Sequence, residues 1–163
     1  MNVIDELGIL ALSTRLQRLS ERLRKDGLLI YKAYGIYFEP KWFPVIYTLH
    51  VRTVLSVVEL ANEIGYSHPS TITLLKELEK NKLVRSKRDK ADERKRLVQL
   101  TGKATQLVAQ MQPVWQVMVN GLTQLTDTKN NLMQAIIETE ARLEKQGFYQ
   151  RALDSMQGGN AGK

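Results

Sequence analysis

The sequence predicts a mainly α-helical chain with one small β-wing, and three observations carry that prediction. Apolar residues recur at spacings of three and four through both ends of the chain. Two short helical patterns meet at Gly65, near its middle. A basic segment follows them, flanked by Leu83-Val84 on one side and by Leu97, Val98 and Leu100 on the other, all residues of strand composition.

The middle is the most constrained part. Ser56 is a good helix N-cap, and Glu59, three residues on, completes a capping box. The helix it starts turns Val57, Leu60, Ala61 and Ile64 inward and stops at Gly65, which can take the left-handed backbone that ends a helix. Ser67 caps a second helix, and Pro69 occupies its first turn, where a missing N–H costs nothing. The pattern then runs to about Lys80, and small Ala61 lets the second helix cross close to the first, as in a helix-turn-helix. Thr71, Leu74, Leu75 and Leu78 form the core stripe of that second helix. His68, Pro69, Ser70, Ile72, Thr73 and Lys76 are left facing outward, and with Ser67 they are the candidate DNA contacts. Hydroxyls can bond several base edges, and an apolar tip can touch a thymine methyl.

From Lys82 to Arg96 there are eight Lys/Arg against three Asp/Glu, which places +5 of the chain's net +7 in this one hairpin. Lys87, Arg88, Arg94, Lys95 and Arg96 are its candidate contacts to DNA. Asp92, two residues before Arg94, would share its face of a strand-like segment, accept a guanidinium N–H and hold the arginine extended. A helix-turn-helix followed by a basic two-stranded ribbon is a winged helix-turn-helix, here with long N-terminal and C-terminal dimerisation helices.

The run LANEIGYSHPSTITLLKELEKNKLV, the D-x-x-D-x-R of the ribbon (Asp89, Asp92, Arg94) and the closing Leu100-Thr101 resemble the MarR family of bacterial transcription regulators. The resemblance extends over nearly the whole chain. It implies a homodimer whose recognition helices enter major grooves of double-stranded DNA while Arg94 enters a minor groove, with no cofactor. A two-fold dimer calls for an inverted-repeat operator. Two positions depart from the family pattern: Thr73 stands where arginine is common, and Lys82 where the turn before the ribbon usually carries glycine. Similar sequences also form the front half of MarR–acetyltransferase fusions. The alternative is therefore a MarR-like regulatory module of a GNAT acetyltransferase system whose catalytic domain is not in this chain.

Residues 3–34 read as one long helix, with Ile9, Leu12, Leu16, Leu19, Leu23 and Ile30 on a seam broken at Asp26. Roughly 30 residues at ~1.5 Å each make a rod longer than a small domain needs. Either a partner subunit or the C-terminal helices must cover its stripe. Residues 31–47 then hold seven of the eleven aromatic residues, and Pro40 starts a short helix to about His50. The cluster is either core packing or a cleft for a small, partly aromatic or anionic effector near Tyr34, Tyr37, Trp42, Tyr47 and His50.

Thr101 caps a helix through Leu122 that Pro113 should kink. A last helix opens at Thr126 or Asp127 and stops at Gly147, and Phe148, Tyr149 and Leu153 can add a further turn. The expected organisation is a single domain over residues 1–163, with a DNA-binding head at 36–101 between dimerisation helices at 1–35 and 102–154. Residues 155–163 are expected to be a disordered tail.

Composition removes several classes of function. With no cysteine there is no disulfide framework or zinc finger, and His50 and His68 lack metal-binding spacing. No nucleophile elbow, phosphate-binding loop or dinucleotide motif appears, so an enzyme is not expected. The start MNVIDELGIL lacks a basic region and a cleavage site, and no apolar run approaches the ~20 residues of a membrane span. A cytoplasmic protein with no membrane partner is expected. A pI near 9.7 suits an acidic polymer. RNA-binding modules usually carry aromatic stacking platforms, and the basic segment has no aromatic residue, which favours double-stranded DNA. The function expected is a dimeric, effector-responsive repressor.

Overall fold

The structure, a computed structural model, describes residues 2–158. In chain order it contains α1 (Val3–Glu6), a 3-10 turn (Gly8–Ala11), α2 (Leu12–Ala33), a 3-10 turn (Pro40–Trp42), α3 (Phe43–Arg52), β1 (Val54–Ser56), α4 (Val57–Ile64) and α5 (His68–Lys80). The ribbon strands β2 (Val84–Arg88) and β3 (Arg96–Leu100) follow, then α6 (Gly102–Thr126), α7 (Leu132–Lys145) and α8 (Phe148–Gly158). Two compact units divide between Met118 and Val119, with α6 beginning in the first and ending in the second.

The first unit is built around one core. Phe38 and Trp42 supply the largest buried rings; Val45, Ile46 and Leu49 of α3, Leu60 of α4, and Leu75 and Leu78 of α5 close on them with Val98 of β3 and Val108, Met111 and Val114 of α6. The sheet is antiparallel in the order β1-β3-β2, with Leu55 and Ser86 on either side of Val98. The sequence reading gave a two-stranded ribbon and missed β1. Three residues are too few to show alternation, and the strand exists because β3 offers it a partner.

The N-terminal helix is also corrected. Residues 3–34 are not one rod: Gly8 takes φ +59°, the chain tightens into the 3-10 turn, and the long helix starts only at Leu12. Ile9 is 83% exposed, and Leu12 and Leu16 are exposed as well.

Three helices end alike. After α2, α4 and α5 the N–H of Ile36, Tyr66 and Leu83 reaches back to the carbonyl of Tyr31, Ala61 and Leu78, five residues earlier. Each such ending needs one residue with left-handed backbone. Gly35 and Gly65 supply it twice; the third is Lys82, at φ +58°. The geometry associated with the missing glycine is kept without the glycine.

In the second unit, α7 is capped by Asn131, whose Oδ1 accepts from the Gln134 N–H at 3.0 Å, so it opens five residues later than the earliest expected start at Thr126. Helix α6 runs through Pro113 and Asn120-Gly121 to Thr126. The tail is corrected too: residues 155–158 belong to α8, and 159–163 lie outside the described residues. Arg151 ties α8 to the end of α7 by donating to the carbonyls of Gln146 and Arg142. Among the described residues no helix is long and apolar enough to cross a membrane.

Lys82 carries a backbone conformation that costs a β-carbon about 1 kcal/mol. Lys82→Gly is expected to stabilise the fold by roughly 0.5–1 kcal/mol, less whatever glycine adds to unfolded-chain entropy. Urea unfolding checks it: a lower midpoint at unchanged slope would mean that the left-handed turn carries no strain.

Candidate nucleic-acid interface

The recognition helix α5 is fixed at its start by the groups the sequence indicated. Ser67 Oγ accepts from the Ser70 N–H at 3.3 Å, and Thr71, fully buried, donates its hydroxyl to the Ser67 carbonyl at 3.0 Å. The preceding helix has its full capping box, with the Ser56 N–H donating to Glu59 and the Glu59 N–H to Ser56. Thr71, Leu74, Leu75 and Leu78 are all buried, as expected. Ser67, His68, Pro69, Ser70, Thr73 and Lys76 are exposed on the other side. Ile72 is half-buried against the core and lines a groove with His68, Val58, Arg94 and Lys95, so it flanks the reading face rather than forming its tip.

The ribbon tip explains its own motif. The Asp89 carboxylate accepts from the Ala91 N–H at 2.8 Å and the Asp92 carboxylate from the Arg94 N–H at 3.1 Å, so each aspartate folds the loop two residues ahead of it. The Asp92 Oδ1 that holds the backbone also accepts from Arg94 Nε at 3.1 Å. The expected pair is present, but a turn brings it together; β3 begins only at Arg96. Arg94 remains 92% exposed while its Nε is held. The Arg94 bond, first, and the backbone N–H keep the Asp92 carboxyl below the usual aspartate range. Lys87, Arg88 and Lys95 are exposed around it.

Arg96 is different in kind. Its Nε donates to Ser86 Oγ at 2.8 Å and its guanidinium to Glu79 Oε1 at 2.6 Å, while the Ser86 hydroxyl donates to the same carboxylate oxygen at 2.6 Å. This arginine clamps both ribbon strands to the recognition helix. Charge counting could not separate it from its neighbours, because its distinction is a partner 17 residues away. On the opposite flank, Glu77 accepts from Trp42 Nε1 at 2.9 Å and from Lys41 Nζ at 2.8 Å.

The five aromatic-site residues do not form one cleft. Trp42 is 2% exposed core, bonded to Glu77; Tyr37 meets its ring edge-on at 6.0 Å; Tyr34 and His50 are exposed and join neither. Tyr47 instead stacks on Phe43 at 5.3 Å, and both rings meet Trp115 of α6 at 5.5 Å. Trp115 Nε1 donates to the Tyr31 hydroxyl at 2.9 Å, and burial raises the pKa of that phenol. Phe43 and Trp115 lie outside the expected set of five, yet they are the rings that Tyr47 joins. The i,i+4 spacing of Phe43 and Tyr47 was a usable signal; the partnership with Trp115 was not.

A capped helix laid beside a basic ribbon, each with one buried and one open side, defines a winged helix-turn-helix protein. The MarR family model matches residues 38–95, from the aromatic loop to the ribbon tip, so this stretch of the chain is similar to that family. Its fold is similar to that of the M. tuberculosis transcriptional regulator MosR in complex with DNA, at 18% identity over 82% of this chain and 96% of that one, with a TM-score of 0.69. It is also similar to the repressor CouR bound to a 23-mer DNA duplex, at 23% identity over 85% and 96%, with a TM-score of 0.65. A third likeness is to Bordetella bronchiseptica BpsR, described for regulation of its DNA binding by 6-hydroxynicotinic acid, at 20% identity over 80% and 98%, with a TM-score of 0.56. None of the curated proteins matches the sequence. These findings give no support to the acetyltransferase alternative.

The clamp yields a pH prediction. Burial pushes the Glu79 carboxyl up, but the Ser86 hydroxyl and the Arg96 guanidinium outweigh it and hold the pKa below the ordinary 4.5. A pKa lowered by folding adds stability that is complete above the unfolded value and is lost as pH falls through the folded one. Glu79→Gln is therefore expected to cost about 1 kcal/mol at neutral pH, after allowance for solvent screening. The gap to wild type should close on acidification below about 4.5. Urea midpoints measured across that range check it; a gap independent of pH would mean that the carboxylate charge plays no part.

Proposed function

We propose that this chain is a homodimeric transcriptional regulator that binds double-stranded DNA at an inverted repeat, acting as a repressor that a small molecule releases. The observation that carries the reading is Arg94: nine-tenths exposed at the ribbon tip, yet tethered through its Nε to Asp92. A solvated surface arginine has no need of such a tether. A groove-reading one loses less rotamer freedom on docking because of it. In this reading α5 enters the major groove, with Ser70 and Thr73 toward the bases and Ser67, His68, Pro69 and Lys76 near the backbone. Lys87, Arg88 and Lys95 add counterion release, and Arg96 is withdrawn to its structural role. Nothing in this reading calls for enzymatic chemistry.

Dimerisation is supported by apolar faces that the chain does not cover within either unit. In the first, Ile9, Leu10, Leu12 and Leu16 are exposed; in the second, Met133, Ile137, Leu143 and Phe148 are. Apolar patches of this kind mark association surfaces. The effector reading moves to the half-exposed rings of Phe43, Tyr47 and Trp115, an apolar shelf suited to a small aromatic molecule. Such a molecule would release DNA only by favouring a form whose two heads no longer fit the operator.

Titration of an operator selected from genomic fragments tests the reading. Arg94→Ala is expected to weaken binding by roughly tenfold or more and Lys95→Ala by only about twofold. Asp92→Ala should weaken it as well, although it makes the protein more basic. The ultracentrifuge should show two chains per duplex, and an effector found by thermal shift should lower DNA affinity. If Asp92→Ala binds more tightly and Arg94→Ala behaves like Lys95→Ala, the ribbon is only an electrostatic pad.

A further inference from the structure

The reading face of α5 carries two exposed hydroxyl residues one turn apart, Ser70 and Thr73, and their hydroxyls are not equivalent. Thr73 Oγ1 donates to the Pro69 carbonyl at 3.0 Å, so its single proton is spent on its own helix backbone. A threonine has only two γ branches. With the oxygen folded back against the helix, the methyl is the group left to reach away. Ser70 is the opposite case: its oxygen accepts from the Ser67 hydroxyl at 2.8 Å, which leaves its own proton available to donate. Ile72 sits half-buried to one side, so the Thr73 methyl and the Pro69 ring are the apolar groups left on this face, and Thr73 lies a turn further along the helix.

A donor and a methyl group at i and i+3 match what thymine shows in the major groove, an O4 acceptor beside a C5 methyl; adenine offers N7 as the neighbouring acceptor. We propose that Thr73 is a specificity residue that reads a thymine C5 methyl through its own methyl, while Ser70 donates to the acceptor on the adjoining pair. This rests on the DNA-binding reading above and deepens it. It also gives the departure from arginine a consequence: a position at which guanine would otherwise be read becomes an A·T pair.

The test begins with enrichment of a random duplex library by the wild-type protein. Each thymine of the enriched site is then replaced by deoxyuridine, which removes only the C5 methyl. Wild type is expected to lose about fourfold in affinity at one position per half-site, the size of one buried methyl group. Thr73→Val, which keeps the methyl and lacks the hydroxyl, should show the same loss at the same position. Thr73→Ser, which keeps the hydroxyl and lacks the methyl, should bind thymine and deoxyuridine alike there. Melting curves confirm that both variants fold. Indifference of wild type to deoxyuridine at every position, or a Thr73→Ser protein with full sensitivity, overturns the proposal while DNA binding stands. A library from which nothing is enriched fails the DNA-binding reading itself, and this proposal with it.

Discussion

The recognition helix is held in place by its own two carboxylates. Glu77 takes the Lys41 ammonium and the Trp42 indole on one flank; Glu79 takes Ser86 and Arg96 on the other. Leu75 and Leu78 bury the inner face between these flanks, so α5 is fixed in depth by packing and in rotation by polar contacts. A helix anchored only by leucines could slide or roll at little cost, because dispersion contacts have no direction. With both flanks tied, the outward face keeps one orientation, which is what a reading surface requires. Both carboxyls lie below their ordinary pKa, Glu77 chiefly through the Lys41 bond, so both ties are ionic at neutral pH.

The basic ribbon is therefore not uniform. Arg96 is committed to the fold, Arg94 is positioned but open, and Lys87, Arg88 and Lys95 are simply exposed. Three roles have been drawn from one run of like charges. The aspartates divide the work similarly: Asp89 and Asp92 look like partial neutralisation of a basic segment, yet each folds the loop through a backbone N–H. The spacing of the D-x-x-D-x-R motif is thus the spacing of two successive turns with one tethered guanidinium.

The exposed apolar residues place the remaining constraint. Leu12 and Leu16 of α2 and Met133 and Ile137 of α7 have helical spacing that serves no packing within their own units. A chain that exposed such faces permanently would associate without limit unless a self-complementary pairing closed them. The two-fold pair of chains proposed above would do so, and it would give an inverted repeat two reading heads related by the same symmetry.

Local chemistry was legible in the sequence alone. The capping box at Ser56-Glu59, the glycine stop at Gly65, the cap at Ser67 and the buried stripe of α5 each depend on residues within one or two turns. Periodicity and capping report such relations directly, and the fold class followed from them. What required the tertiary structure was every relation across the chain. Strand β1 exists only because β3 lies beside it, and Arg96 is structural only because Glu79 comes within 2.6 Å. The aromatic shelf exists only because α6 brings Trp115 against Phe43 and Tyr47. Lys82 shows the two levels meeting: its side chain argues against a left-handed turn, and the buried pair Leu78 and Leu83 on either side imposes one. Sequence determines what a segment does when its own neighbours decide; where partners arrive from a distance, packing assigns the role and outweighs a local preference of about 1 kcal/mol.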